Sequence, residues 1–282
     1  MTLATKSGLK KSMNESDLPA LHFAHANSFP AGTYGVFFAE LARHYAVTAL
    51  PMHAHDLAYP VTDGWSHLQR ELTDAVLARH RGPVILVGHS LGGMLSLMVA
   101  KARPELVRCV VLLDSPVVAG WRAWVLRAGK VSKLDERFSP ARFSVKRRNL
   151  WADRDAAYAH FAAKPMFAIW PEQVLRDYVE HGTVAHADGV TLRFTRETES
   201  AVYRSLPHTM GAVARGRFPV PVGFIGGTDS VECIQAGLAA THRLVRENFV
   251  QVPGGHLFPL ESPSVAAATT HAMIERLLAQ AR

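Results

Sequence analysis

The chain has 282 residues, 48% hydrophobic and 20% charged, and 31 Lys/Arg against 24 Asp/Glu give it a formal net charge of +7. This composition suits a folded protein with a sizeable core and excludes a disordered regulator, a collagen-like fibre and a coiled-coil rod. No run approaches the roughly 18 to 20 apolar residues of a membrane-spanning helix. Two cysteines, Cys109 and Cys233, cannot make a disulfide framework, so a reduced, cytoplasmic protein is expected.

Residues 1–18 are polar and aperiodic, and Ser12, Asn14, Glu15 and Asp17 stand where a signal peptide needs apolar residues. They read as a loose tail. Short β-branched apolar runs then alternate with helix-length amphipathic stretches. Strands are predicted at Leu21–His25, Val47–Pro51, Pro83–Gly88, Arg108–Asp114, Pro221–Gly226 and Asn248–Val252. Helices are predicted near 34–45, 66–81, 91–103, 232–246 and 262–280, with Pro104 and Gly254-Gly255 as stop signals. This alternation argues for a parallel sheet of about six strands with helices on both faces.

One segment breaks the rhythm. Between 115 and 217 no buried strand is evident, and helices are predicted near 118–130, 153–163, 171–182 and 197–206. Half of the chain's 24 aromatic residues fall there, among them Trp121, Trp124, Trp151 and Trp170. A helical insertion with so much apolar surface is a candidate lid, although most of those rings must pack among its own helices. The same region carries most of the positive charge: from Arg122 to Arg154 there are ten Lys/Arg against three acids. Such a patch can steer an anionic substrate, but charge runs are usually solvated helix faces. No zinc finger, RRM or basic zipper accompanies it, so no nucleic-acid partner is expected.

The segment Pro83-Val-Ile-Leu-Val-Gly88-His89-Ser90-Leu91-Gly92-Gly93 holds a G-x-S-x-G between an apolar strand and a helix. In that context the motif is a nucleophile elbow: Ser90 is lifted above the sheet edge on a strained turn, and its glycines let strand and helix backbones pass closely. A serine that merely caps a helix is the plain alternative. A serine hydroxyl needs a base within hydrogen-bond reach. Of the 15 histidines, His256 in Val252-Pro-Gly-Gly-His256-Leu-Phe-Pro directly follows the last strand, and so belongs at the same sheet edge.

With these segments the sequence resembles an α/β-hydrolase of the capped esterase, lipase and C–C-hydrolase type, from about Ala20 to Leu278. The matching stretches are Leu21-His-Phe-Ala-His25-Ala26-Asn27-Ser-Phe-Pro30, Gly88–Gly93, Val110–Asp114, Pro221–Gly227 and Gly254–Glu261. The resemblance implies an α/β-hydrolase fold, with a core at 19–114 and 218–282 and a helical cap at 115–217. It also implies oxyanion-hole amides at Asn27 and Leu91, with Ala26 in place of the usual glycine and His25 as a structural brace.

The triad acid has two candidates. Asp114 ends the fourth apolar run. Asp229 lies in Gly226-Gly-Thr-Asp229-Ser230, where counting the family's Gly-x-x-Asp from Gly227 puts Ser230 at the acid position and counting from Gly226 puts Asp229 there. Asp114 is favoured, with Asp229 as the alternative.

His53-Ala-His55-Asp56 resembles a binuclear metal signature, but Leu57-Ala58 follow where such a site continues with Asp and His. No phosphate-binding glycine loop is present either, so neither a metal nor a cofactor is implied. The expected function is hydrolysis of an ester-like small molecule (carboxylic ester, thioester or lactone), perhydrolase and C–C-hydrolase chemistry being alternatives on the same fold. A hydrolase-like receptor without turnover is the alternative from another class.

Overall fold

The structure, a computed structural model, describes residues 18–132 and 147–280. Strands β1 (Ala20–Ala24), β2 (Ala46–Ala49), β3 (Val84–His89) and β4 (Val107–Leu113) come first, interleaved with helices α1 (Gly35–Leu41), α2 (Ser66–Arg79) and α3 (Leu91–Ala102). After an insertion the chain returns to β8 (Val222–Gly227) and β9 (Phe249–Val252). These six strands form one sheet in the order β2-β1-β3-β4-β8-β9, with every pair parallel. The predicted count and direction of strands therefore hold.

Helices cover both faces of this sheet, which is why β3 and β8 are apolar or glycine along most of their length and buried throughout. One face carries Phe23, Ile85, Val87 and Val111 against α1 and the C-terminal helix. The other carries Leu86, Val110, Leu112 and Phe224 and is covered by α2 and α3. Strand β4 joins β3 through an irregularity: Val84 pairs with Val107, but Ile85 pairs with Cys109. Arg108 is the extra residue, exposed in an otherwise buried strand. Val107 and Val110 consequently share one face although they are three residues apart.

The chain leaves β1 toward β2 on one side and returns to β3 on the other. The loops after β1 and β3 thus diverge at the carboxyl edge, the place where open α/β sheets bind their ligands.

The insertion contains α4 (Trp121–Ser132), α5 (Arg154–Ala162), α6 (Glu172–Gly182) and α7 (Arg196–Arg204), close to the predicted helices. It also contains strands the sequence reading lacks: β5 (Leu150–Trp151), β6 (Thr183–His186) and β7 (Gly189–Leu192) form an antiparallel sheet in the order β5-β7-β6. The expectation of a purely helical insertion is corrected accordingly. These strands are two to four residues long and three of the four residues of β6 are exposed, so they leave no apolar run to read. The helix predicted over 232–246 is two helices, α8 (Val231–Ala236) and α9 (Ala239–Val245), separated at Gly237, whose φ of +69° is left-handed. The last predicted helix is α10 (Pro263–Gln280). Residues 1–17 of the predicted tail lie outside the described residues.

Candidate active site

Ser90 sits between β3 and α3 with φ +52° and ψ −114°, a conformation that L-residues rarely adopt. The turn is over-determined by its neighbours. The Ser90 N–H donates to the Leu113 carbonyl at 3.0 Å, and the Ser115 hydroxyl donates to the Ser90 carbonyl at 2.9 Å. Close approach explains the motif's glycines. A Cβ on Gly88 would lie 2.3 Å from the Gly92 carbonyl oxygen, and one on Gly92 would lie 2.0 Å from that of Ala24. Neither position has room for a side chain.

The loop after β9 brings His256 to this turn. The Ser90 hydroxyl and His256 Nε2 are 3.0 Å apart, and His256 Nδ1 is 2.7 Å from Asp114 Oδ1. The chemistry of the partners sets the proton positions: a carboxylate only accepts, so Nδ1–H donates to Asp114, and Nε2 is left bare to accept from Ser90. Asp114 follows β4 with φ +41° and is fully buried. Three further donors face its carboxylate: the Gly227 N–H at 2.7 Å, the Ser230 hydroxyl at 2.6 Å and the Cys233 thiol at 3.5 Å.

Burial alone would raise the Asp114 pKa. The hydrogen bond and charge of His256, with the Ser230 and Gly227 donors, outweigh it and hold the group below its usual value. Burial likewise pushes His256 down, but the Asp114 hydrogen bond and charge reverse the sign and leave its pKa above 6.5.

Asp229 does not reach the imidazole. Among the described residues, the carboxylates within 4 Å of His256 Nδ1 are Asp114 and, at 3.8 Å, Glu232. Asp229 is exposed in the turn after β8, where its N–H donates to the Gly254 carbonyl at 2.9 Å. Ser230, one residue on, stands instead at the buried carboxylate and caps α8 through the Cys233 N–H at 3.1 Å.

Asn27 lies in a tight turn closed by the Phe29 N–H on the Ala26 carbonyl at 3.1 Å, with Ser28 at φ +73°. The Asn27 side-chain amide donates to the Glu199 carbonyl of α7 at 3.2 Å, so the insertion reaches this loop. Leu91 opens α3, and its N–H is one of the helix's first four, which have no acceptor within the helix. His25 is buried with both nitrogens engaged: Nδ1–H donates to the Ala26 carbonyl at 2.8 Å, and Nε2 accepts from the His53 N–H at 2.7 Å.

The other predicted features go elsewhere. His53 Nδ1 faces Glu71 at 3.2 Å, His55 Nδ1 faces the His53 carbonyl, and Asp56 accepts from the Ala58 N–H; the three side chains do not converge. Asp114, Glu232 and His256 do bring potential metal-ligand atoms within 4.8 Å of one another. His256 Nδ1 and Asp114 Oδ1 are, however, already joined to each other.

The basic window is mostly paired where it is described. Arg122 and Arg127 stack over Trp121 and Trp124, Lys130 bonds Asp63 and the Leu206 carbonyl, and Arg147 bonds Glu199 and Tyr178. Lys133, Arg137, Arg142 and Lys146 lie outside the described residues. No helix among the described residues is long and apolar enough to cross a membrane.

Two buried residues at the site carry no sequence signal of their own. The Tyr34 hydroxyl is 2.7 Å from His89 Nδ1, and His89 Nε2 is 2.9 Å from the His256 carbonyl. His89 occupies a variable place in G-x-S-x-G, and Tyr34 lies 56 residues before Ser90. Only the folded chain brings them together.

Residues 23–269 match the Alpha/beta hydrolase family, and the chain belongs to that family of enzymes. Its structure is similar to that of E-2-(acetamidomethylene)succinate hydrolase, with 24% identity, 91% of each chain covered and a TM-score of 0.72. It is also similar to an esterase of M. tuberculosis (18% identity, 92% of this chain and 86% of that one, TM-score 0.67). The enol-lactonase of Burkholderia xenovorans LB400 is a third (15% identity, 92% of each chain, TM-score 0.60). No curated protein matches the sequence.

Proposed function

We propose that the protein is a serine hydrolase acting on ester-like small molecules through an acyl-enzyme on Ser90. The observation that carries this reading is the hydrogen-bonded line from Ser90 Oγ through His256 to the buried Asp114 carboxylate, at 3.0 and 2.7 Å. In it His256 takes the Ser90 proton as Oγ attacks the carbonyl carbon, and Asp114 stabilises the imidazolium that forms. The Asn27 and Leu91 amides hold the oxyanion. The imidazolium protonates the leaving group, and a water molecule activated by the same base then hydrolyses the acyl-enzyme. The esterase and the enol-lactonase among the similar structures favour an ester or lactone carbonyl.

Residues 115–217 act as the cap over this site. Support comes from Phe29, beside the candidate oxyanion loop, which packs against the rings of Trp170 and Tyr178 from the insertion. The chain's net charge of +7 favours an anionic substrate, and two buried cysteines without a disulfide suit a cytoplasmic protein.

A fluorophosphonate probe tests the reading. Wild-type protein is expected to gain one covalent adduct on Ser90, and Ser90→Ala none. A panel of p-nitrophenyl esters then reports the preferred acyl length. Folded protein that takes no adduct at Ser90 overturns the proposal.

A further inference from the structure

We propose that Tyr34 and His89 are positioning residues, a hydrogen-bonded strut that holds the oxyanion loop and the catalytic base in one frame. The inference rests on the reading of Ser90 and His256 as nucleophile and base, and adds a second histidine whose tautomer matters.

The strut can be followed atom by atom. The Ala26 N–H donates to the Tyr34 oxygen at 3.3 Å, the Tyr34 O–H donates to His89 Nδ1 at 2.7 Å, and His89 Nε2–H donates to the His256 carbonyl at 2.9 Å. The directions follow from the two ends. A carbonyl only accepts, so His89 must carry its proton on Nε2. Nδ1 of a neutral imidazole is then bare, and the Tyr34 hydroxyl supplies its hydrogen. That hydroxyl has lone pairs left for the Ala26 N–H. Tyr34 and His89 are both buried, so water cannot substitute for either partner. Burial, followed by the neighbouring His256, lowers the His89 pKa to about 3 and keeps the ring neutral.

The contacts fall where orientation decides chemistry. Ala26 precedes the Asn27 amide proposed for the oxyanion hole. The Ala26 carbonyl is held from its own side by His25 and by the Phe29 N–H. Because the peptide is planar and trans, that carbonyl fixes the direction of the Asn27 N–H. The Tyr34 hydroxyl anchors the N–H of the same residue. At the other end, His89 grips the main chain of His256, while Asp114 and Ser90 engage its ring. Without the Tyr34 hydrogen, His89 could move its proton to Nδ1 and turn a bare nitrogen toward the His256 carbonyl, which repels it.

Steady-state kinetics on a p-nitrophenyl ester, with two-bond ¹H–¹⁵N NMR of the histidine rings, test the strut. Wild-type His89 is expected to show the neutral Nε2–H pattern at neutral pH, and Tyr34→Phe a mixture of tautomers. His89→Leu is expected to lose on the order of 10- to 100-fold in kcat with KM little changed, the scale of a misplaced reacting group. His89→Gln, whose amide reaches to the position of Nε2 and can donate to the His256 carbonyl, should recover most of that loss. His89→Asn, too short to reach it, should not. Should His89→Leu fail to fold, the tautomer measurement and Tyr34→Phe still decide. An Nδ1–H tautomer in the wild type, or kcat unaffected in both Tyr34→Phe and His89→Leu, overturns the proposal. An inactive, unlabelled wild type whose His89 shows the Nε2–H pattern would instead overturn the reading of Ser90 and His256.

Discussion

Two histidines in different regions of this molecule behave oppositely. At the carboxyl edge of the sheet, His256 meets the Asp114 carboxylate and its pKa lies above 6.5. On the flank formed by β1, β2 and α2, His22 meets only uncharged partners, His80 Nε2 at 3.3 Å and the Thr48 hydroxyl at 3.1 Å. Burial, then the neighbouring His80, lowers its pKa to about 3. Burial opposes the charged form in both places. What separates a histidine whose charged form is favoured from one held neutral is one buried carboxylate with its own donors.

Removing the base should break the contrast most completely. His256→Ala is expected to lower kcat by a factor on the order of 10⁶, as single deletions in such a unit do. Asp114→Asn keeps the shape but loses the charge, and a fall on the order of 10⁴-fold in kcat with the fold intact is expected. Asp229→Asn should stay close to wild type, and the reverse ranking would transfer the acid role to Asp229. Gly92→Ala places a methyl 2.0 Å from the Ala24 carbonyl and should destabilise the fold by about 3 kcal/mol, read as a lower denaturant midpoint.

The pH dependences differ in sign between His256 on one side and His22 and His89 on the other. Turnover by the proposed route needs neutral His256, so kcat/KM should fall as pH drops through its raised pKa, and Asp114→Asn should move that limb to lower pH. For stability, His22 and His89 bind fewer protons folded than unfolded between pH 6.5 and about 3, so their contribution is present above 6.5 and is lost as pH falls through that window. His256 runs the other way: its contribution is present below 6.5 and lost as pH rises through its folded value. The melting temperature should therefore drop on acidification, and His22→Leu should flatten that slope slightly.

The sheet and the elbow were legible because their signals are local. An apolar run bounded by turn residues specifies a strand, and Gly88 and Gly92 record a backbone approach that nothing larger tolerates. The partner acid was not legible to the same degree. Counting along the chain puts Ser230 or Asp229 after β8 and Asp114 after β4, and which of them faces an imidazole depends on register between strands far apart in sequence. The split between α8 and α9 hides at Gly237, inside a pattern that otherwise reads as one helix. Tyr34 and His89 carried no signal, because a buried tyrosine in a single helical turn reads as ordinary core.

Arg108 bears on the reach of the acid more than its exposed position suggests. It is the supernumerary residue, and bulging it out keeps seven residues of β4 in step with six of β3, so that Leu113 pairs with His89 and Asp114 emerges level with Ser90. A strand advances about 3.3 Å per residue and reverses the facing of its side chains at each step. Drawing Arg108 into the ladder opposite Ile85 would instead carry the carboxylate one residue past Ser90 and turn it toward the other layer, while leaving every residue of the proposed catalytic line in the chain. The spacing of the proposed chemistry is thus set by a surface bulge at the opposite end of the strand.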